Sequence, residues 1–187
     1  LFELGNLVLS RIDVRNEAKA CCAPLAAKYP ATIHIATHSE GEVVYIDKVD
    51  QGNALISASS VGMRAPMHCT GVGKALLAFL PDAYLNQYIW SHPLQKRTEN
   101  TITRKDALRR ELEEVRRTGI AVDREEIERG VYCIAAPILQ SNGEPALAVS
   151  LSFAFGRIQE VNPEEAKRDL LECTQKLSAR LGYRKET

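Results

Sequence analysis

Two tight turns between alternating segments constrain the fold of this 187-residue chain more than any other feature. Residues 39–41, Ser-Glu-Gly, separate the alternating segments 31–38 and 43–49. Parallel neighbouring strands need long crossover connections, so two strands joined by so short a turn must pair antiparallel. Apolar Ile33 and Ile35 lie on one face of the first strand, and His34 lies on the other. The pattern predicts an antiparallel meander that is buried on at least one face.

The same arrangement recurs further along the chain. The turn Gln140-Ser141-Asn142-Gly143 joins predicted strands at residues 131–138 and 146–153, and a further strand is predicted at residues 54–60. Helical spacing and capping residues surround these strands. Helices are predicted at residues 1–12, 13–29, 74–79, 81–90, 104–117 and 162–181. The order of elements indicates the α+β class, with helices packed on an antiparallel sheet.

Charge and composition exclude several classes of protein. Lysine plus arginine and aspartate plus glutamate number 24 each, so the formal net charge is zero, which argues against a chain that binds nucleic acid alone. The balance leaves open a domain that works beside a basic one, and the first residue, Leu1, leads us to expect a fragment or a processed product. No apolar run approaches the roughly 20 residues of a membrane span.

Cysteine usage indicates the compartment. Five cysteines occur, an odd number; Cys21 and Cys22 are adjacent, and no C-x-x-C spacing is present. This pattern does not suit a disulfide framework and predicts a reducing cytoplasm.

The segment Gly71-Val72-Gly73-Lys74 resembles a phosphate-binding loop only superficially. The Walker pattern requires glycine where His68 stands and serine or threonine where Ala75 stands. Two glycines at a predicted helix start still expose backbone N–H groups, which bind anions such as carboxylates. The alternative is a tight turn packed against the sheet.

Hydroxyl groups share one face of a predicted central strand. Ser150 and Ser152 lie on the face opposite Leu151, and Cys133 lies on one face of the neighbouring predicted strand. If the two faces coincide, a thiol and two hydroxyls line a pocket for a small polar molecule; the alternative is small residues buried under a helix. Asp123 follows the apolar run 120–122, which would aim its carboxyl inward.

Catalysis is the alternative function for such a pocket. Cys133 with His68 would supply a nucleophile and a base, but the sequence shows no third, orienting group. His34 and His38 are about 13 Å apart on a strand at ~3.3 Å per residue, too far to share one metal ion. We therefore predict no enzyme, no catalytic residue, no metal and no cofactor.

Together the motifs resemble the effector-binding half of the IclR family of bacterial transcription regulators. The resemblance covers nearly the whole chain, with its motifs in the family's order and spacing. The segments that carry it are Leu1-Phe2-Glu3-Leu4-Gly5, Val44-Tyr45-Ile46-Asp47-Lys48-Val49, residues 62–78, residues 119–126, residues 130–138, Ser150, Ser152 and the region of Arg157.

The resemblance implies a GAF/profilin-like fold, a curved antiparallel sheet flanked by helices. Residues 1–28 would form the linker helix and the first helix of the effector domain, and residues 29–187 the GAF-like effector-binding domain. In the family a winged helix-turn-helix domain precedes this part and binds operator DNA; it is absent from this chain. The expected assembly is a dimer or tetramer, and the expected role is ligand sensing for a repressor.

The resemblance also assigns roles to residues of the pocket. It implies an anion-binding turn, a pocket acid, a thiol, a pair of hydroxyls and two wall positions whose small size suggests a roomy pocket. The corresponding residues here are Gly71, Val72, Asp123, Cys133, Ser150, Ser152, Ala54 and Ser57. The implied effector is a small organic or sugar acid that enters as a carboxylate.

Overall fold

A single antiparallel sheet organises the molecule. The computed structural model describes residues 13–49 and 60–184, and six strands of these residues pair in the order β3-β2-β1-β6-β5-β4. All five pairings are antiparallel. The strands are β1 (Thr32–Ser39), β2 (Glu42–Val49), β3 (Arg64–Pro66), β4 (Ala121–Arg124), β5 (Val131–Leu139) and β6 (Pro145–Ala154).

Helices connect and flank these strands. They are α1 (Val14–Lys28), α2 (Gly71–Leu77), α3 (Asp82–Leu85), α4 (Lys105–Thr118), α5 (Phe155–Ile158) and α6 (Pro163–Arg180), and a π-helical segment (Asn86–Trp90) continues α3. Within the described residues no helix is both long and apolar enough to cross a membrane. The α+β prediction, with a curved antiparallel sheet and flanking helices, is confirmed.

Both predicted tight turns connect antiparallel neighbours. In the first, Gly41 adopts a φ of 82°, and in the second Gly143 adopts a φ of 81°, a left-handed conformation that side chains disfavour. The predicted strand at 54–60 lies outside the described residues except for Ser60, so β3 is the next strand the structure gives after β2.

One irregularity interrupts the β1–β2 pairing. Ile35 pairs with Asp47 while its neighbour Ala36 pairs with Tyr45, which leaves Ile46 as an extra residue in β2. This β-bulge shifts the alternation of the strand by one residue. Tyr45 therefore packs with the apolar cluster on one face of the sheet, whereas Asp47 bonds Arg15 of α1 on the other face.

Each face of the sheet buries its own apolar cluster. On one face Ile33, Leu151 and Phe153, all fully buried, pack against α1 and α6. On the other face α2, α4 and the segment from 80 to 89 cover a second cluster that includes Leu76 and Leu108. Helix α1 thus packs in the same core as the C-terminal helix; the predicted linker at residues 1–12 lies outside the described residues, and the domain division remains a prediction.

Helix ends follow the predicted capping residues. The side chain of Asp13 accepts the N–H of Asn16 at the start of α1, and Asn162 accepts from Glu164 and Glu165 at the start of α6. Thr70 caps α2 by accepting the N–H of Gly73 at 3.2 Å. This cap fixes the turn that the sequence marks as a candidate anion site.

Gly73 is expected to be irreplaceable in that turn. A Cβ at this position would overlap the backbone carbonyl oxygen of Met67, whereas a Cβ at Gly156 would meet no atom within 4 Å. Gly73→Ala should lower the free energy of unfolding by roughly 1–3 kcal/mol, as overpacking does. Gly156→Ala, the matched control, should be neutral within about 0.5 kcal/mol. Urea denaturation measures the free energy of unfolding of both variants. Equal losses would contradict the inference that the turn has no room for a side chain at Gly73.

Candidate functional site

The centre of the site is the face that β5 and β6 share. Their register places Cys133 opposite Ser152 and Ala135 opposite Ser150. The Cys133 thiol donates to Ser152 Oγ at 3.2 Å, and the two serine hydroxyls are 3.3 Å apart. All three polar side chains are buried. The two strand faces inferred from the sequence therefore do coincide.

Asp123 adds a carboxyl to this patch. It pairs with Cys133 across β4 and β5 and has no solvent-accessible surface. Its Oδ1 accepts the N–H of Glu126 at 2.7 Å, whereas its buried Oδ2 has no hydrogen-bond partner among the described residues. Burial raises the pKa of this carboxyl to about 7.

Beneath Asp123 lies a buried charge network built around Lys74. Lys74 Nζ donates to Glu126 at 2.6 Å, to Glu111 at 3.0 Å and to the carbonyl oxygen of Val122 at 2.6 Å. Its side chain has no accessible surface, and Glu126 is almost as buried. Three acceptors around one ammonium group offset the cost of removing it from water. The network ties α2 to α4 and to the end of β4.

The turn at the start of α2 approaches the patch closely because Gly71 has no side chain. A Cβ there would lie 3.2 Å from Cys133 Cβ and 3.3 Å from Ala135 Cβ. The first residues of a helix have N–H groups without an acceptor inside the helix. The Thr70 hydroxyl accepts the N–H group of Gly73, and it does not cap those of Gly71 and Val72. Gly71 and Val72 thus bring backbone donors beside Asp123.

These elements enclose a cavity of about 200 Å³. All six predicted site residues that the structure describes line it: Gly71, Val72, Asp123, Cys133, Ser150 and Ser152. The two predicted wall residues, Ala54 and Ser57, lie outside the described residues.

Six further polar side chains line the cavity although the sequence did not assign them to it: His34, Tyr45, Arg64, Thr70, Arg97 and Glu128. His34 Nδ1 lies 3.1 Å from Ser152 Oγ, and its ring centroid is 5.2 Å from that of Tyr45. Arg97 is exposed at the mouth. The alternation of β1 already places His34 on the face opposite Ile33 and Ile35. The pairing of β1 with β6, which the sequence does not show, is what brings it beside the two serines.

A second cavity, of about 300 Å³, lies between α4, β5 and α6. It contains none of the predicted site residues. The buried side-chain atoms without a partner in the described residues belong to Thr32, His38, Asp123 and Glu126, and of these only Asp123 lines a cavity described above. The smaller cavity is therefore the better candidate for a ligand, despite its size.

The pairing needed for nucleophilic catalysis does not form. His68 donates from Nε2 to the carbonyl oxygen of Gln95 at 2.9 Å and lines a different cavity from Cys133. Burial raises the pKa of the Cys133 thiol, so it is uncharged at neutral pH. Across the described ranges, no three His, Cys, Asp or Glu side chains are grouped to hold a metal ion.

A curved antiparallel sheet with a buried polar cavity on one face has the architecture of a ligand-sensing domain, and comparison with known proteins gives its family. Residues 6–179 match the family described as bacterial transcriptional regulator IclR C-terminal. The chain therefore belongs to the IclR family of bacterial transcriptional regulators and corresponds to their effector-binding, C-terminal part.

Similar proteins support the same assignment. The HTH-type transcriptional regulator XynR of Escherichia coli K12 is 33% identical over 98% of this chain and 73% of its own length. KdgR of the same organism is 34% identical, over 98% of this chain and 70% of its own length. Among solved structures, Thermotoga maritima IclR superimposes with a TM-score of 0.83 at 35% identity, covering 98% of this chain and 74% of that one. The C-terminal domain of E. coli KdgR gives 0.80 at 32% identity, covering 92% and 100%.

Removing the ammonium group of Lys74 should lower the stability of the folded protein strongly. Lys74→Met leaves the Glu126 carboxyl buried without its charge partner, and we expect a loss of about 3–5 kcal/mol in the free energy of unfolding. The double variant Lys74→Met, Glu126→Gln should recover part of it. Lys176→Met, which removes an exposed pair with Glu172, should cost less than about 1 kcal/mol. Urea titration measures the free energy of unfolding of each variant. A loss of less than about 1 kcal/mol for Lys74→Met would contradict the inference that its ion pairs hold the buried network together.

The buried acid should make stability depend on pH. Since the folded-state pKa of Asp123 lies above its unfolded value, folding takes up a proton between the two, and the stabilisation is lost as pH rises towards 7. From pH 5 to pH 7, Asp123→Asn should gain about 2 kcal/mol relative to wild type.

Asp169→Asn is the matched control for this measurement. Lys28 and Tyr29 hold the pKa of Asp169 below its usual value, so its carboxyl is ionised in both states throughout that range. Its difference from wild type should stay constant between pH 5 and pH 7. A constant difference for Asp123→Asn as well would show that Asp123 is ionised in the folded protein.

Proposed function

We propose that the pocket binds a small carboxylate effector whose anion lies against the turn at Gly71 and Val72. The observation that carries this proposal is the buried Oδ2 of Asp123, which has no partner in residues 13–49 and 60–184 and lies in the same cavity as those backbone donors. A buried polar atom without a partner costs free energy, which a ligand group can recover by hydrogen bonding.

Electrostatics favours an anion in this cavity. The raised pKa keeps a large fraction of Asp123 protonated at neutral pH, so its carboxyl can donate a hydrogen bond to the ligand instead of repelling it. The neighbouring Cys133 is a neutral thiol, and the guanidinium of Arg97 lies at the mouth. Glu128 and Arg64 add an exposed carboxylate and a second guanidinium to the lining of the cavity. At the turn itself a ligand carboxylate meets backbone donors and a carboxyl that is partly protonated.

Size and lining restrict the effector further. A cavity of about 200 Å³ is below the roughly 300–1,000 Å³ of sites for drug-sized ligands. Ser150, Ser152 and His34 supply hydroxyl and imidazole groups on the wall of the cavity that the sheet forms. Such a lining suits a short acid that carries hydroxyl or oxo groups, as hydroxy acids and sugar acids do.

We propose that binding is sensed through assembly, on the basis of family membership. The effector would favour one arrangement of subunits in a dimer or tetramer and so alter operator binding by a helix-turn-helix domain. The change in operator affinity cannot exceed the difference in effector affinity between the two arrangements. All five cysteines are free thiols, which suits a cytoplasmic regulator.

We also propose that the chain senses its ligand without converting it. The relatives are transcriptional regulators. His68, the base that the sequence suggested for Cys133, lies in a different cavity, and the Cys133 thiol donates to Ser152 instead of to a histidine.

Ligand binding should depend on the hydroxyl pair. Thermal-shift titration with pyruvate, glycerate, succinate and gluconate should give a rise in melting temperature with at least one acid, without a product by NMR. Replacing Ser150 and Ser152 together with alanine should weaken that acid at least tenfold, as expected for two lost hydrogen bonds of about 1 kcal/mol each. Ser178→Ala is the control, because Ser178 is equally buried but bonds Leu139 and Thr174 instead. Equal affinity in all three proteins would refute the assignment.

A further inference from the structure

Outside the pocket, three cysteine thiols meet where α1 packs against α6. The Sγ atoms of Cys21 and Cys173 lie 2.7 Å apart, and the Sγ of Cys22 lies 4.0 Å from that of Cys173. All three thiols are free, and the proposed ligand chemistry uses none of them. Cys21 and Cys173 are 152 positions apart in sequence, so only the packing of the two helices brings them together.

Pairs of side chains hold the two helices in a fixed register on both sides of the thiols. Towards one end Arg180 donates to Glu17 at 2.5 Å. Towards the other end Lys28 donates to Glu165 and to Asp169, each at 2.6 Å. The helices therefore run antiparallel, with the sulfur atoms between two ion-paired ends. This register keeps Cys173 opposite Cys21 and gives the two thiols a high effective concentration.

Exposure distinguishes the two neighbouring cysteines of α1. Cys22 is fully buried and Cys173 is 5% exposed, whereas Cys21 is only partly buried at the edge of the helix pair. A small oxidant in solution thus reaches Cys21 first, and Cys173 lies directly behind it. A pair with one accessible thiol and one adjacent thiol has the arrangement required for a peroxidatic and a resolving cysteine.

We propose that Cys21 and Cys173 form an oxidation site, at which a peroxide converts two thiols into an intramolecular disulfide between α1 and α6. In the first step Cys21 sulfur attacks one peroxide oxygen, the O–O bond breaks, and sulfenic acid and water are formed. In the second step Cys173 sulfur attacks Cys21 sulfur, the S–O bond breaks, and the leaving hydroxide takes the Cys173 proton and departs as a second water. Two thiols are oxidised by two electrons, and one hydrogen peroxide is reduced to two waters.

The environment sets the speed of this reaction. Burial and the contact with Cys173 raise the pKa of Cys21 to about 12, while Lys176 and Arg180 act in the opposite direction. The thiolate is the reactive form, so Cys21 reacts slowly with peroxide at neutral pH. In a reducing compartment the two thiols therefore stay reduced. Sustained peroxide exposure is the condition under which the crosslink accumulates.

Thiol counting tests the proposal directly. The reductant-free protein is incubated with hydrogen peroxide, denatured, alkylated with N-ethylmaleimide and weighed. The five cysteines give five adducts before oxidation, and we expect three adducts afterwards, with an intact monomer two mass units lighter before alkylation. Dithiothreitol should restore five. Persistence of five adducts, or a crosslink between two chains, would overturn the proposal.

Variants identify the partners, because trypsin leaves Cys21 and Cys22 on one peptide, residues 20–28. Cys22→Ser should keep the crosslink, and Cys21→Ser should slow it by about tenfold or more, since the second thiol of α1 is buried. Cys173→Ser and Cys173→Ala should both abolish it, whereas Cys69→Ser, a control with a buried thiol elsewhere, should leave it unchanged. A crosslink between Cys21 and Cys22, or loss of Cys69 or Cys133 instead, would refute the assignment.

A stability measurement gives an independent readout. A disulfide that closes so long a loop restricts the unfolded chain strongly, so oxidised wild-type protein should melt higher by roughly 5–10 °C, and dithiothreitol should reverse the shift. The Cys173 variants should show no shift on peroxide treatment. An unchanged melting temperature in a protein with three adducts, together with a mass gain instead of a loss of two mass units, would show that the thiols were oxidised without being joined and would overturn the proposal.

Discussion

Lys74 is the charge on which the geometry of the pocket depends. Its ammonium group has no contact with water and is held by Glu126, by Glu111 and by the carbonyl oxygen of Val122. Because these acceptors come from three separate elements, the cation fixes α2 relative to α4 and to the end of β4. The turn at Gly71 and the carboxyl of Asp123 are attached to the two sides of this junction, so the ion pairs set the distance between them.

The same network explains how a carboxyl can stay in the pocket. Lys74 forms an ion pair with Glu126, whereas Asp123 has no ion-pair partner among the described residues. Its Oδ1 is satisfied by the backbone N–H of Glu126, while Oδ2 is not. Two buried oxygens here, Asp123 Oδ2 and Glu126 Oε2, thus have no partner among the described residues, and their desolvation costs the folded protein free energy. Of the two residues, Asp123 is the one that lines the pocket.

Sequence patterns predicted those parts of the site that depend on local periodicity. A period of two placed Ser150 and Ser152 on one face of their strand, with Cys133 on one face of the neighbouring strand, and the short apolar run before Asp123 directed it inward. Whether the two strand faces coincide was left open by the sequence, and the structure brings all four residues together. Patterns could not show that His34 and Tyr45 lie beside them, because strand order and register place β1 next to β6 and β2 next to β1. Lys74 looked like part of a failed nucleotide motif, and only tertiary contacts show its partners.

The extra residue in β2 lets one short strand serve two faces of the sheet. In a regular strand Tyr45 and Asp47, two residues apart, would lie on the same face of the sheet, and the bulge at Ile46 places them on opposite faces. With it, Tyr45 forms part of the pocket wall, and Asp47 anchors α1 through Arg15 and Lys19. Because the bulge places Tyr45 and Asp47 on opposite faces, a substitution at Tyr45 can change the pocket wall without disturbing the ion pairs that hold α1.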